Sequence, residues 1–177
     1  MRFAEDVARV VGSAPTESYG VLAVDVASAS WVATVIRARD DLQLEMFDLL
    51  TAVDLGDDGF DVVVRLWAPE RRAGLVLRTR CGRDNPVVPT LTGVFGGADW
   101  HERAVAELFG ISFDGHEATP LLLPASFEGH PLRKDFVLAS RAARPWPGAK
   151  EPGESDADLG RPRRRQLPLG APPADWR

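Results

Sequence analysis

Apolar residues first recur at helical spacing. Phe3, Val7, Val10 and Val11 fall on one face of a predicted helix over 3–11, and Gly12 follows as its stop. Gly20–Val26 is short and rich in branched residues, which predicts a strand. Ser28 and Ser30 are placed to cap a helix over Trp31–Arg39, with Val32, Val35 and Ile36 turned inward. Asp40-Asp41 then turns the chain. Leu42–Val53 reads two ways. Leu44, Phe47, Leu50 and Val53 sit three apart, as on a helix, yet Thr51-Ala52-Val53-Asp54 suits the entry to a strand. Gly56-Asp57-Asp58-Gly59 is a hairpin turn, Phe60–Ala68 alternates as a strand, Pro69–Arg72 turns, and Ala73–Cys81 is the antiparallel return. Asn85-Pro86 breaks that strand. Val87–Val94 leads into Gly96-Gly97, Asp99 is placed to cap a helix over Trp100–Phe109, and Gly110 ends it.

Beyond Phe136 the pattern is lost. Prolines at 145, 147, 152, 162, 168, 172 and 173, mixed with glycines and charges, cannot bury enough apolar surface to offset the entropy of ordering. The chain therefore divides into a domain over 1–140 and an extended arm over 141–177. Two tryptophans, Trp146 and Trp176, lie in the arm, and a Trp there is suited to anchor in a partner's groove. The cations around Arg161-Pro162-Arg163-Arg164-Arg165 sit beside an acidic stretch and read as a solvated arm.

Composition narrows the function. The 177 residues suffice for one domain with a core, and a net charge of −5 argues against nonspecific nucleic-acid binding. The longest apolar runs, Gly20–Val26 and Leu121–Pro124, fall far short of the roughly 20 residues that cross a bilayer. Acids in the first turns are unlike a secretory leader. A lone cysteine, Cys81, allows neither an internal disulfide nor an iron–sulfur cluster held by four thiolates of this chain. The reading is a cytoplasmic protein whose electron carriers, if any, belong to partners.

The candidate chemistry is concentrated in residues 100–136: Trp-His-Glu-Arg-Ala-Val-Ala-Glu-Leu-Phe-Gly-Ile-Ser-Phe-Asp-Gly-His, a Leu-rich hinge, then Phe-Glu-Gly-His-Pro-Leu-Arg-Lys-Asp-Phe. His101, His116 and His130 lie fourteen or fifteen residues apart, whereas metal pairs on a helix need three or four. Each Gly-His is better read as an imidazole bonding backbone in a tight turn, or as an interface contact. Arg103 and Glu107 are i, i+4 neighbours, which on a solvated helix contributes about 0.3–0.5 kcal/mol. Arg133, Lys134 and Asp135 follow a Pro-Leu turn with no phosphate-cradling glycine loop, so Arg133 is assigned to a partner's carboxylate. No Ser-His-Asp spacing or cysteine pair is present. A free-standing acid–base enzyme would need a pocket of perturbed carboxylates, which no spacing here predicts. A docking element fits better, and an independent binding module is the remaining class.

This block resembles the 30 kDa subunit family of respiratory complex I, the C-type subunits of NADH-quinone oxidoreductase. The likeness is carried by Gly-Ala-Asp-Trp-His-Glu-Arg, Leu-Phe-Gly-Ile and Gly-His-Pro-Leu-Arg-Lys-Asp-Phe, and it extends over roughly residues 20–140. It implies an α+β fold, a mixed sheet packed with helices, with the Pro-rich arm following. It also implies a peripheral-arm subunit on the cytoplasmic face of the cell membrane, reaching the membrane only through the complex. Activity would belong to the whole NADH:quinone oxidoreductase, with no catalytic residue, cofactor or metal in this chain. The iron–sulfur clusters, FMN and quinone would belong to partner subunits. The implied neighbours are the D-type subunit, which lines the quinone pocket, and iron–sulfur subunits. Trp100, Glu102, Arg103, Glu107, His116, His130, Arg133, Lys134, Asp135 and Trp146 are the implied interface. The chain departs from the family at Ala104, where the pattern has Glu, at Glu107, where it has Asp, and in lacking an Arg pair between His116 and Pro124. A related membrane-bound hydrogenase or a divergent paralogous complex is the alternative setting.

Overall fold

A computed structural model describes residues 2–124 and 126–137. The predicted arm over 141–177, with Trp146, lies outside them. The order is α1 (Arg2–Val11), β1 (Thr16–Ser18), β2 (Val21–Asp25), α2 (Trp31–Asp41), β3 (Met46–Asp54), β4 (Phe60–Ala68), β5 (Ala73–Cys81), β6 (Val87–Pro89), α3 (Ala98–Phe109) and β7 (Ser112–Asp114).

Five strands form one sheet in the order β1-β2-β5-β4-β3. β3, β4 and β5 are an antiparallel meander, and β2 joins β5 in parallel, so the sheet is mixed and the fold is α+β. Period-two alternation in β4 and β5 sends Phe60, Val62, Val64, Leu66, Leu75 and Leu77 to one face, each 0 % exposed. Val7 of α1 and Trp31, Val35 and Ala38 of α2 pack into the same core. The hairpin forms where expected. Leu55 N–H closes on the Gly59 carbonyl at 2.9 Å, around a 3-10 turn over Gly56–Asp58. β6 and β7 form a separate parallel pair that the sequence pattern does not separate from its surrounding loops.

Three local expectations are corrected. Ile36 does not face inward; it is 36 % exposed, because α2 buries the row Trp31, Thr34, Val35 and Ala38. Neither Ser28 nor Ser30 caps α2 through its side chain; the Ser30 hydroxyl bonds back to the Ala27 carbonyl at 3.1 Å. Asp99 is not the cap of α3. The helix opens at Ala98 after Gly97, which leaves the Asp99 carboxylate free for a different partner. The ambiguous segment 42–53 resolves as a loop through Leu44 into β3, an edge strand on which α3 packs.

Candidate docking face around the third helix

The first turn of α3 is pinned from inside. Glu102 is 0 % exposed. Its carboxylate accepts the Thr90 hydroxyl at 2.6 Å and the Leu91 N–H at 2.7 Å, and lies 2.8 Å from His116 Nδ1. The other ring nitrogen, Nε2, lies 2.9 Å from Asp99 Oδ1. The ring thus bridges two carboxylates, one at each nitrogen. A buried carboxyl group is costly unless its oxygens find hydrogen-bond partners, and three groups meet this one. The arrangement ties the loop after β6, the start of α3 and the turn after β7 to one another. Two sequence readings change here. Glu102 offers no surface to a partner. The His116 imidazole holds two carboxylates rather than backbone, and only its own N–H reaches a carbonyl, that of Phe113 at 3.1 Å.

The middle of α3 carries a strap. Arg103 donates to the carbonyls of Thr119 at 2.9 Å and Pro120 at 3.0 Å, and Glu107 accepts the N–H groups of Leu121 and of Leu122, the latter at 2.7 Å. The expected Arg103–Glu107 pair is not made. Segment 119–122 lies outside every strand, so its backbone groups need partners, and these two side chains supply them. Arg103 also lies 3.7 Å from Asp99 and covers the exposed Trp100 ring at 5.5 Å.

The last turn of α3 is capped from a distance. A helix leaves its final four carbonyls without internal partners. Here the Ala106 carbonyl takes Gly110 N–H at 2.9 Å, and the Leu108 carbonyl takes Leu132 N–H at 3.0 Å. His130 Nδ1 lies 2.8 Å from the Glu107 carbonyl, and Arg133 reaches the carbonyls of Phe109 at 2.5 Å and Gly110 at 3.3 Å. The cation at this end also opposes the helix dipole. Gly110 makes the approach possible: its φ is +70°, and a Cβ there would run into the His130 ring and the Arg133 guanidinium. The sequence assigns Arg133 to a partner's carboxylate; its guanidinium instead serves this cap, stacked 5.3 Å from the Phe60 ring centre.

The next two residues are anchored to the sheet. Lys134 N–H donates to Asp54 Oδ2 at 2.8 Å, and Asp135 pairs with Arg83 at 2.8 Å. Asp54 is 4 % exposed and also accepts Gly56 N–H at 2.7 Å and Arg83 at 3.0 Å. Burial pushes the Asp54 carboxyl up, but the Lys134 and Gly56 N–H groups and the Arg83 guanidinium outweigh it and hold the carboxyl below its ordinary value.

The surface that remains is largely apolar. Between α3 and the edge strand β3 lies a socket of about 380 Å³, walled by Leu49, Leu50, Ala104, Leu108 and Leu132. Thr51 and His101 are its polar members. The ring Nδ1 sits 3.1 Å from the Leu50 carbonyl and 3.3 Å from its N–H, on the open edge of β3. Trp100, Leu122 and Leu132 are 60, 61 and 51 % exposed along the helix and strap. Of the residues singled out in sequence, Trp100, Lys134 and Asp135 reach the surface. The socket residues escape a sequence reading because nothing local in the sequence places β3 beside α3. Among the described residues no group of three or more His, Cys, Asp or Glu is placed to hold a metal ion, and no helix is long and apolar enough to cross a membrane.

Comparison with known proteins bears on this geometry. The family model described as "Respiratory-chain NADH dehydrogenase, 30 Kd subunit" matches residues 23–142. The C-type subunit of the NADH-quinone oxidoreductase of Mesorhizobium japonicum is 36 % identical over 126 residues, which are 68 % of this chain and 62 % of that protein. The corresponding subunit of Brucella abortus gives the same figures. The chain thus spans somewhat under two thirds of the length of these relatives. Among solved structures, the trypsin-resistant fragment (1-134) of Nqo5 shares the fold with a TM-score of 0.55 at 24 % identity, covering 67 % of this chain and 97 % of the fragment. A chain of the membrane-bound sulfane sulfur reductase, an archaeal respiratory membrane complex, has a TM-score of 0.63 at 23 % identity, covering 78 % and 87 %.

Proposed function

Since the chain belongs to the family of the 30 kDa subunit of respiratory-chain NADH dehydrogenase, we propose that it is a docking subunit in the peripheral arm of an NADH-quinone oxidoreductase. In this reading it holds the quinone-reducing module together, beside the D-type subunit and the neighbouring iron–sulfur subunits. The complex oxidises NADH and reduces quinone; this chain binds neither, and the clusters, FMN and quinone sit in its partners. It reaches the cytoplasmic face of the cell membrane only through them.

The observation that carries this reading is the division of labour around α3. The most chemically loaded residues, Glu102, Arg103, Glu107, His116, His130 and Arg133, are engaged with the chain's own backbone and carboxylates. What they hold in place is an irregular surface with Trp100, Leu122 and Leu132 exposed and an apolar socket beside them. Rigid presentation of large apolar side chains favours association, because little further ordering is needed on binding. Trp100, Lys134 and Asp135 meet the partner directly; the others act by holding the strap. Leu132→Asp tests this. Mild-detergent purification of the tagged variant should recover at least tenfold less of the neighbouring subunits, while its melting temperature stays near that of the parent. Full recovery of those subunits overturns the docking face.

A second setting is a related membrane complex, such as a membrane-bound hydrogenase. It draws on the fold alone, which recurs in the archaeal respiratory membrane complex. The subunits that copurify decide between the two.

A further inference from the structure

We propose that the end of the sheet carrying Tyr19 is a second docking surface, and that its occupant is a neighbouring protein subunit with an apolar pocket for the Tyr19 ring and a carboxylate facing Arg72. The first observation is the local backbone. β1 and β2 pair through Ser18 and Val21, so Tyr19-Gly20 is a two-residue turn, with φ of +50° and +74°. Both positions of such a turn lie in left-handed backbone, which suits Asn, Asp or Gly and strains a bulky ring. The ring gains nothing from its own chain in return, since Tyr19 is 104 % exposed. A strained residue without a compensating contact points to a contact outside the chain. The second observation is what lies level with it. β2 and β5 run parallel with Leu22 beside Leu75, and the same offset sets Val21 beside Gly74 and Tyr19 level with Arg72. Trp67 pairs with Gly74 on one side and with Met46 on the other. Val21, Gly74, Trp67 and Met46 thus form one row across four strands, on the sheet face turned away from the core. The Trp67 indole leans across Gly74, where a Cβ would meet the ring at 2.6 Å, and Val21 and Met46 are exposed beside it. The row and Tyr19 make an apolar strip at the end of the sheet. The third observation is charge. Arg71 and Arg72 are exposed in the β4–β5 turn, and Glu17, Glu45 and Glu70 are exposed at the same end. A mixed polar rim around an apolar strip with an aromatic anchor is the make-up of a protein contact. The three acids and the net charge of −5 disfavour an anionic lipid surface. Tyr19 projects beyond β1, one edge of the sheet, while α3 packs on β3 at the other, about 19 Å away at four strand spacings. The chain therefore bridges two neighbours.

The inference rests on the reading of the chain as a subunit of a larger complex. Tyr19 is the only tyrosine of the chain, so nitration by tetranitromethane, read on its peptide by mass, reports on this one ring. The full chain free in solution should nitrate rapidly, and the chain within the complex purified in mild detergent about tenfold more slowly. Tyr19→Asn is the sharper arm, because Asn is what the turn favours. It should leave the melting temperature of the isolated chain at or above that of the parent, yet lower the recovery of identified neighbouring subunits about tenfold. A residue with a purely structural role would not move the two readouts in opposite directions. Arg72→Glu should lower the recovery as well. Equal nitration of the free and assembled chain, or full recovery of the subunits with Tyr19→Asn, overturns the inference. So does binding of the parent to anionic vesicles, or a concentration-dependent dimer in the ultracentrifuge, that Tyr19→Asn abolishes; these assign the ring to lipid or to a second copy. The α3 face fails separately. Subunits lost with Tyr19→Asn but fully recovered with Leu132→Asp remove the α3 face and leave this surface, and the reverse removes this surface alone. A parent that brings down no subunit removes both.

Discussion

Arg133 carries the clearest consequence at the scale of a residue. Its guanidinium serves the Phe109 and Gly110 carbonyls and lies over Phe60, so its removal leaves two helix-end acceptors without their donor. Arg133→Ala should therefore destabilise the isolated chain by about 1–3 kcal/mol. Urea denaturation checks this, and an unchanged midpoint would contradict the cap. Arg133→Lys should recover only part of the loss, because one ammonium does not reproduce the planar fork. The importance of Arg133 was legible in the sequence, but the identity of its partner was not. A guanidinium suits a carboxylate and two carbonyls equally well, and only the return of residues 130–133 to the end of α3 selects the carbonyls. Glu102 shows the same limit. Its position on a helix beside Arg103 gives no sign that Thr90, Leu91 and His116 converge on it.

Among elements, α3 depends on a glycine. Gly110 combines a φ of +70° with the close approach of His130 and Arg133. Gly110→Ala should cost at least about 1–2 kcal/mol from the backbone alone. It should also loosen segment 130–133, visible as faster amide exchange at Leu132. A change confined to global stability, with Leu132 still protected, would show that the cap does not need that approach. Helix, hairpin and glycine stop were readable because each rests on neighbouring residues. β3 was not, for a specific reason. A bulge between Phe47 and Leu49 inserts one residue, so the inward positions run Phe47, Leu50, Ala52 rather than by strict twos. The extra residue creates the spacing of three that imitates a helix, and Val53, which completes that row, points outward at 47 % exposure.

At the scale of the molecule, Asp54 and Cys81 report on integrity. Asp54 joins the β3–β4 hairpin, Arg83 and Lys134, and its carboxyl is held below the ordinary value of about 3.9. The sign follows from linkage. The ionised form is favoured in the fold, so its contribution is complete above the ordinary value and is lost as pH falls through the lower, folded one. Asp54→Asn should flatten the acid side of a stability–pH curve; an unaltered acid limb would mean the site contributes nothing to acid unfolding. Burial, with Asp61 nearby, pushes the Cys81 thiol up to about 11. At pH 8 about one molecule in a thousand would carry the thiolate. Labelling by a thiol reagent should therefore track global unfolding and accelerate with urea in step with loss of the fold. Rapid labelling of the native chain would place Cys81 in a locally open region.

The parallel pairing of β2 with β5 has a consequence for how the protein is made. β2 is complete at Asp25, but its neighbour β5 is not finished until Cys81, and the strands between them form the far side of the sheet. The third helix waits longer, since the residues that close its last turn are 130–133. During synthesis at about 5–20 residues per second, the leading half emerges from the ribosome with its apolar strands unpaired for several seconds. The sheet cannot be finished before Cys81 is out, and the helix cannot be finished before residue 133 is. The nascent polypeptide is thus most exposed to chaperones and proteases while its first eighty residues are outside the tunnel and the Gly-His-Pro-Leu-Arg segment is still within it.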